Sequence, residues 1–158
     1  MQYLLLSLLF LQVNASDQCS HTNTTFACVK YIKNYDADTI TFNIPDTHPI
    51  LGQKISIRVK GVDAPEMRTK NQCEKDKAKN AKKLVENLLK KGKRIDLINI
   101  ERGKYFRVVA NVIIDGQDLT DYLLKNGLAY SYDGGKKQQV NWCKNTRDIA
   151  SENNTKKP

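Results

Sequence analysis

The stretch GVDAPEMR, Gly61 to Arg68, sets two carboxylates, Asp63 and Glu66, around a proline with an arginine close behind. Asp and Pro are common in solvated turns for local reasons. The same pair is also what a site needs to hold a cation or to take a proton from water. A second acidic pair, Asp36 and Asp38, leads into the apolar alternation of TITF. In extended chain, residues two apart point to the same side, and Asp is a poor strand former. Asp36 reads as an Asx-type turn. Asp38, followed by Thr39 at the start of a strand, is a candidate ligand. Arg58 ends the run KISIRV nearly at its last residue, and Arg107 opens a later apolar run after Lys104 and Tyr105. Three acids and two arginines therefore fall at strand ends, where a scaffold carries function. Hard carboxylate oxygens suit a divalent cation such as Ca²⁺. Guanidinium forks suit phosphate oxygens, and a Glu within reach of a bound water can orient or deprotonate it.

The elements that must position these groups show in the periodicity. Ile40, Phe42 and Ile44 fall on one face, as do Ile55, Ile57 and Val59, which predicts two half-buried strands. PDTHPILG, between them, is a turn-rich connection. From Cys73 to Lys91 the period becomes helical, through Cys73, Lys77, Ala81, Leu84, Val85, Leu88 and Leu89, with Gly92 as the stop. RIDLINI and FRVVANVII predict two more strands, the second ending at the Asp115-Gly116 turn. DLTDYLLKNG predicts a short helix, with Asp118 near its start and Gly127 at its end. With CVKYIKNY as the first strand, the chain predicts an α+β fold: a small five-stranded OB-like β-barrel with two or three helices. Barrel closure removes exposed sheet edges.

The chain has 158 residues, which points to one domain. Its net charge of +9 is unevenly spread. Arg68 to Arg107 holds 14 of the 26 basic residues and five of the 17 acidic ones, so that segment carries the whole surplus. Such a concentration implies attraction to a polyanion, nucleic acid or an anionic membrane surface, and charge alone does not choose between them. KDKAKNAKK also reads simply as a solvated helix face. The apolar run at the N-terminus is too short to span a bilayer and ends in the small-x-small pattern Val13-Asn14-Ala15. Residues 1–15 thus read as a signal peptide cleaved near Ala15, rather than as a buried first strand, giving a secreted or periplasmic protein. The mature domain then covers 16–143, followed by a polar tail, 144–158, that can fray. Four cysteines in a small exported chain imply disulfides. Of the three pairings, Cys19–Cys28, a short loop, and Cys73–Cys143, tying the middle of the chain to its end, are preferred. A zinc site using His21 is the competing reading, but the chain has no CxxC or HxxxH spacing.

Three segments, DADTITF, IRVKGVDAPE and ERGKYFRVVANV, together with TDYLLKNGLAYSY, resemble the staphylococcal nuclease (thermonuclease) family in order and separation, over about Lys30 to Tyr132. The later run with its paired cysteines resembles exported bacterial members. The resemblance implies a Ca²⁺-dependent endonuclease acting on DNA and RNA, single strands preferred, as a monomer without membrane attachment. By position it assigns Asp38, Asp63 and the carbonyl of Ala64 to the metal and Glu66 to the attacking water. Arg58 and Arg107 fall to the scissile phosphate, and Lys104 and Tyr105 to the terminal phosphate of the nucleotide. Tyr130 and Tyr132 take a binding role. Three departures stand out: Ala37 and Phe106 where the family has glycine, and Ala64 where Thr is frequent. The alternative function is a non-catalytic OB-fold module that binds single-stranded nucleic acid through its groove and aromatics.

Overall fold

The computed structural model describes residues 19–137 and 139–155, so the signal peptide expected at residues 1–15, with cleavage near Ala15, lies outside the described residues. Strand β3 (Thr39–Asn43) buries Ile40 and Phe42 completely, and β4 (Ile55–Val59) buries Ile57 and Val59. The two pair antiparallel, with Thr39 opposite Arg58, as the period-two alternation requires. β2 (Lys30–Asn34) pairs with the other edge of β3. β6 (Ile95–Arg102) and β7 (Val108–Ile114) form an antiparallel pair, and β7 joins β4 in parallel, Ile57 opposite Val108. The short β1 (Thr25–Phe26) adds to β6, and β8 (Gln117–Asp118) adds to β7.

The sheet thus has seven strands where five were expected, in the path β1-β6-β7-β4-β3-β2 with β8 on β7. Its ladder does not close. The residue before β2 makes one backbone hydrogen bond to β6, Val29 N–H to Ile95 O at 2.8 Å, and among the described residues no ladder pairs β1 with β2. β5 (Val62–Asp63) and β9 (Tyr130–Ser131) make a separate two-stranded ribbon.

Among the described residues, four α-helices accompany the sheet. The turn-rich connection contains the single turn α1 (Pro49–Gly52). α2 (Gln72–Lys91) starts where the Asn71 side chain accepts the Glu74 N–H and stops at Gly92, as expected. Its buried stripe is Ala78, Ala81, Val85 and Leu89, whereas Leu84 lies 41% exposed. At about 100° per residue Leu84 is one step off that stripe, and the alanines allow close approach. α3 (Leu119–Lys125) is capped by Asp118, which accepts the Thr120 N–H at 2.7 Å. Asp115 and Gly116 both take positive φ, the geometry of a tight hairpin turn between β7 and β8.

The polar tail, expected to fray, instead holds α4 (Thr146–Thr155). Ile149 is fully buried and packs with Tyr130 and Trp142 in a second, smaller core. Asn153, in the sequence a glycosylation-type sequon, is buried and donates from Nδ2 to the carbonyls of Leu124 and Ala129. A few apolar anchors and one buried amide suffice to order a segment whose composition is polar. Gly127, with φ of 61°, lies so close to the Thr146 carbonyl that a Cβ would come within 2.0 Å of its oxygen. Disulfides Cys19–Cys28 and Cys73–Cys143 are both present, with Cα separations of 5.4 and 5.2 Å. The second fastens the first turn of α2 to the segment before α4. Among the described residues no helix is long and apolar enough to cross a membrane.

Candidate active site

Asp38 precedes β3, held by an Asx turn in which Asp36 Oδ1 accepts the Asp38 N–H at 3.0 Å. Arg58 lies opposite Thr39 on β4, so strand pairing alone brings its side chain beside Asp38. Asp63 is on β5, five residues after Arg58, past the turn at Gly61. These three form one network. Arg58 Nη1 donates to Asp38 Oδ1, and Nη2 donates to Asp63 Oδ1 at 2.8 Å. Asp38 Oδ1 also accepts from the Thr39 hydroxyl, and its Oδ2 accepts the Ala64 N–H at 2.6 Å. Asp38 is only 1% exposed. Its burial, reinforced by the neighbouring Asp36 charge, pushes the Asp38 carboxyl up to about 7, against the opposing pull of Arg58 and the Ala64 N–H.

Next to this network is a cleft of about 750 Å³, walled by β4, the turn that follows it, the connection between β6 and β7, and the segment after β9. Arg58, Glu66, Lys104, Arg107 and Tyr132 all line it. Arg107 is exposed there. Glu66, also exposed, sits just past buried Pro65. One of its carboxylate oxygens accepts the Arg68 N–H at 3.2 Å, and its own N–H donates to Glu74 of α2 at 3.0 Å. That tie to α2 fixes the acidic turn at the cleft rim. Lys104 Nζ donates to the Gly134 carbonyl at 3.0 Å, and the Tyr132 hydroxyl to the Gly135 carbonyl at 2.8 Å.

Most of the residues singled out from the sequence thus meet at one place. Two do not. Tyr130 is buried, its ring 5.0 Å from that of Trp142, edge-on, so it supports the second core instead of the cleft wall. Within a strand, residues two apart share a face, but β9 ends at Ser131, and the chain beyond it carries Tyr132 to the cleft instead of into the second core. Tyr105 is 86% exposed and lies outside the cleft lining. Among the cleft residues that the sequence did not single out, one touches the charge network. Lys137 Nζ sits 2.7 Å from Asp63 Oδ1, a cation from a remote loop on a candidate metal ligand. Nothing local in the sequence marks it apart from the other lysines.

Among the described residues, no group of three or more His, Cys, Asp or Glu side chains is gathered to hold a metal ion. The donors of Asp38 and Asp63 nevertheless fit one in kind. Both are hard oxygens, and both already converge on a single cationic group, the Arg58 guanidinium. The backbone of Ala64 is in contact with Asp38.

The model of the family described as staphylococcal nuclease homologue matches residues 56–157. Two relatives from Bacillus subtilis (strain 168) are also similar. Endonuclease YncB is 34% identical over 84 residues, covering 49% of this chain and 38% of YncB. The SPbeta prophage-derived endonuclease YokF is 30% identical over 128 residues, covering 74% of this chain and 39% of YokF. The chain therefore spans about two fifths of the length of these relatives. With a family match over most of its length, the chain belongs to the staphylococcal nuclease family.

Proposed function

We propose that this protein is an exported, Ca²⁺-dependent endonuclease that hydrolyses phosphodiester bonds of DNA and RNA. The observation that carries the reading is the convergence of Asp38, Arg58 and Asp63 in one charge network beside a cleft lined by Glu66 and Arg107. Asp38, Asp63 and the Ala64 carbonyl are the residues that would hold the cation. When bound, such a hard ion supplies charge neutralisation at the phosphate and a place for the water. Arg58, which bridges Asp38 and Asp63 and lines the cleft, is the guanidinium that would meet the phosphate oxygens from this side. Arg107 meets them from the opposite connection. Guanidinium groups remain charged at any working pH and bind phosphate bidentately. Glu66, exposed at the rim, accepts the water proton or orients the water for in-line attack. Charges fixed before reaction toward the pentacoordinate state contribute about 3 kcal/mol each.

The basic surplus and the cleft suit a single strand, with Tyr132 among the cleft residues. Two disulfides fit an oxidising compartment, in keeping with removal of residues 1–15 on export. The test is digestion of single-stranded DNA and RNA by the oxidised mature protein in Ca²⁺, in chelator, and with Glu66→Gln. Cleavage that requires Ca²⁺ and falls by at least about 100-fold in the variant supports the nuclease. Tight binding with no cleavage under any hard divalent ion supports the non-catalytic single-strand-binding module instead.

A further inference from the structure

The connection between β6 and β7 contains two adjacent aromatic residues that the fold alone does not explain. Tyr105 and Phe106 have φ of 59° and 57°, the left-handed region that is unfavourable for any residue with a Cβ. They are also 86% and 82% exposed, the most exposed large hydrophobic side chains among the described residues. A glycine at Phe106 would relieve the backbone, and a polar residue would suit the exposure. An aromatic residue does neither.

Its surroundings indicate what the ring faces. Gly103 N–H donates to the Arg107 carbonyl at 2.8 Å and Arg107 N–H to the Lys104 carbonyl at 3.3 Å, closing a tight loop in which Phe106 lies just outside the cleft lining, next in sequence to Arg107 and two residues after Lys104, both of which line the cleft. Lys104 ties the loop to Gly134 across the cleft. The Arg102 guanidinium, itself a cleft residue, lies 5.4 Å from the Phe106 ring centroid. The ring is thus backed by a cation on one face and, at 82% exposure, open on the other.

We propose that Phe106 is a stacking platform for an unpaired nucleobase of the strand whose phosphates enter the cleft. The inference deepens the proposed function and rests on it. Every base has a π face, so the platform is tolerant of sequence. In a duplex that face is already stacked on neighbours, so the platform discriminates for single strands. The cleft cations on either side of Phe106 in sequence, Lys104 and Arg107, are placed to meet the phosphates flanking the stacked nucleotide.

The experiment compares wild type, Phe106→Gly and Phe106→Trp. Binding is read in chelator, where the strand stays intact, with a labelled oligothymidylate of about 10 nucleotides and with a duplex of the same length. Stability is read by urea unfolding. Phe106→Gly is expected to weaken single-strand binding by about 5- to 150-fold, the range of one base–aromatic stack. Duplex binding should change by less than about twofold, and the urea midpoint should hold or rise, since glycine accepts the backbone. Phe106→Trp should keep the single-strand affinity. Equal single-strand binding by wild type and Phe106→Gly overturns the platform and leaves the nuclease reading intact. An equal loss on duplex, or loss in Phe106→Trp as well, also overturns it. A wild type that neither binds nor cuts either probe, with or without Ca²⁺, overturns both.

Discussion

Arg58 holds two carboxylates that the fold would otherwise leave facing each other, so its removal is the sharpest perturbation of the site. In Arg58→Ala, Asp38 stays buried without its ion-pair partner. Removing one member of a buried pair costs about 3–5 kcal/mol. The structure favours the lower end. Asp63 is 16% exposed and keeps Lys137, while Asp38 keeps the Ala64 N–H and the Thr39 hydroxyl. About 3 kcal/mol, with a urea dependence of about 1–3 kcal/mol per molar, moves the midpoint down by about 1–3 M. This applies in chelator near pH 8, where Asp38 is ionised. Near pH 5 the loss should shrink by half or more, because a carboxyl pushed up to about 7 is then largely neutral and has little need of a cation. Ca²⁺ should narrow the gap between variant and wild type, since an ion that binds the freed carboxylates stabilises the folded state. Urea unfolding of both proteins at the two pH values, with and without Ca²⁺, reads all three effects. A variant as stable as wild type at pH 8 in chelator would refute the view that Arg58 neutralises the pair. So would a gap that widens in Ca²⁺.

Other expectations follow from the same geometry. The folded-state carboxyl of Asp38 is raised above its ordinary 3.8, so the folded protein holds an extra proton between about pH 4 and pH 7. That contribution to stability is present at low pH and is lost as pH rises through about 7. The difference in unfolding free energy between wild type and Asp38→Asn in chelator should therefore fall across this window, and a flat difference would count against the burial. Lys137→Met should tighten Ca²⁺ binding, measured by calorimetry, by up to about fivefold, the scale of an exposed ion pair, since Lys137 is 57% exposed. Unchanged or weaker binding would mean that this lysine does not compete with the ion. Replacing Lys75, Lys79 and Lys83 of α2 with Gln should weaken nucleic-acid binding and flatten its log–log salt dependence by about 0.7 per lost single-strand phosphate contact. A slope equal to that of wild type would show this helix face to be merely solvated.

The local signals in the chain determined its local structure. Alternation around Ile40, Phe42, Ile57 and Val59 is a short-range code for a half-buried strand, and those residues are the core of the sheet. Asn71 and Gly92 mark the ends of α2 because capping is settled within a turn of helix. Asp36 makes its Asx turn for the same reason. The acids and arginines could be named from type and spacing, since phosphate chemistry needs hard oxygens, fixed cations and a base. What those residues touch was decided by tertiary structure. Arg58 bridges both carboxylates because strand register sets it against Thr39 while the Gly61 turn swings Asp63 back. Lys137 reaches Asp63 across a sequence separation of 74, a distance over which no periodicity carries information. Tyr130 and Tyr132 look equivalent as a tyrosine pair, and only the packing of Trp142 and α4 turns one into core and leaves the other at the cleft. Composition made 144–158 a tail; burial of Ile149 and the two hydrogen bonds of Asn153 made most of it a helix. Short-range preferences are written residue by residue, whereas burial depends on which distant surfaces meet, and in this chain that meeting assembles the site.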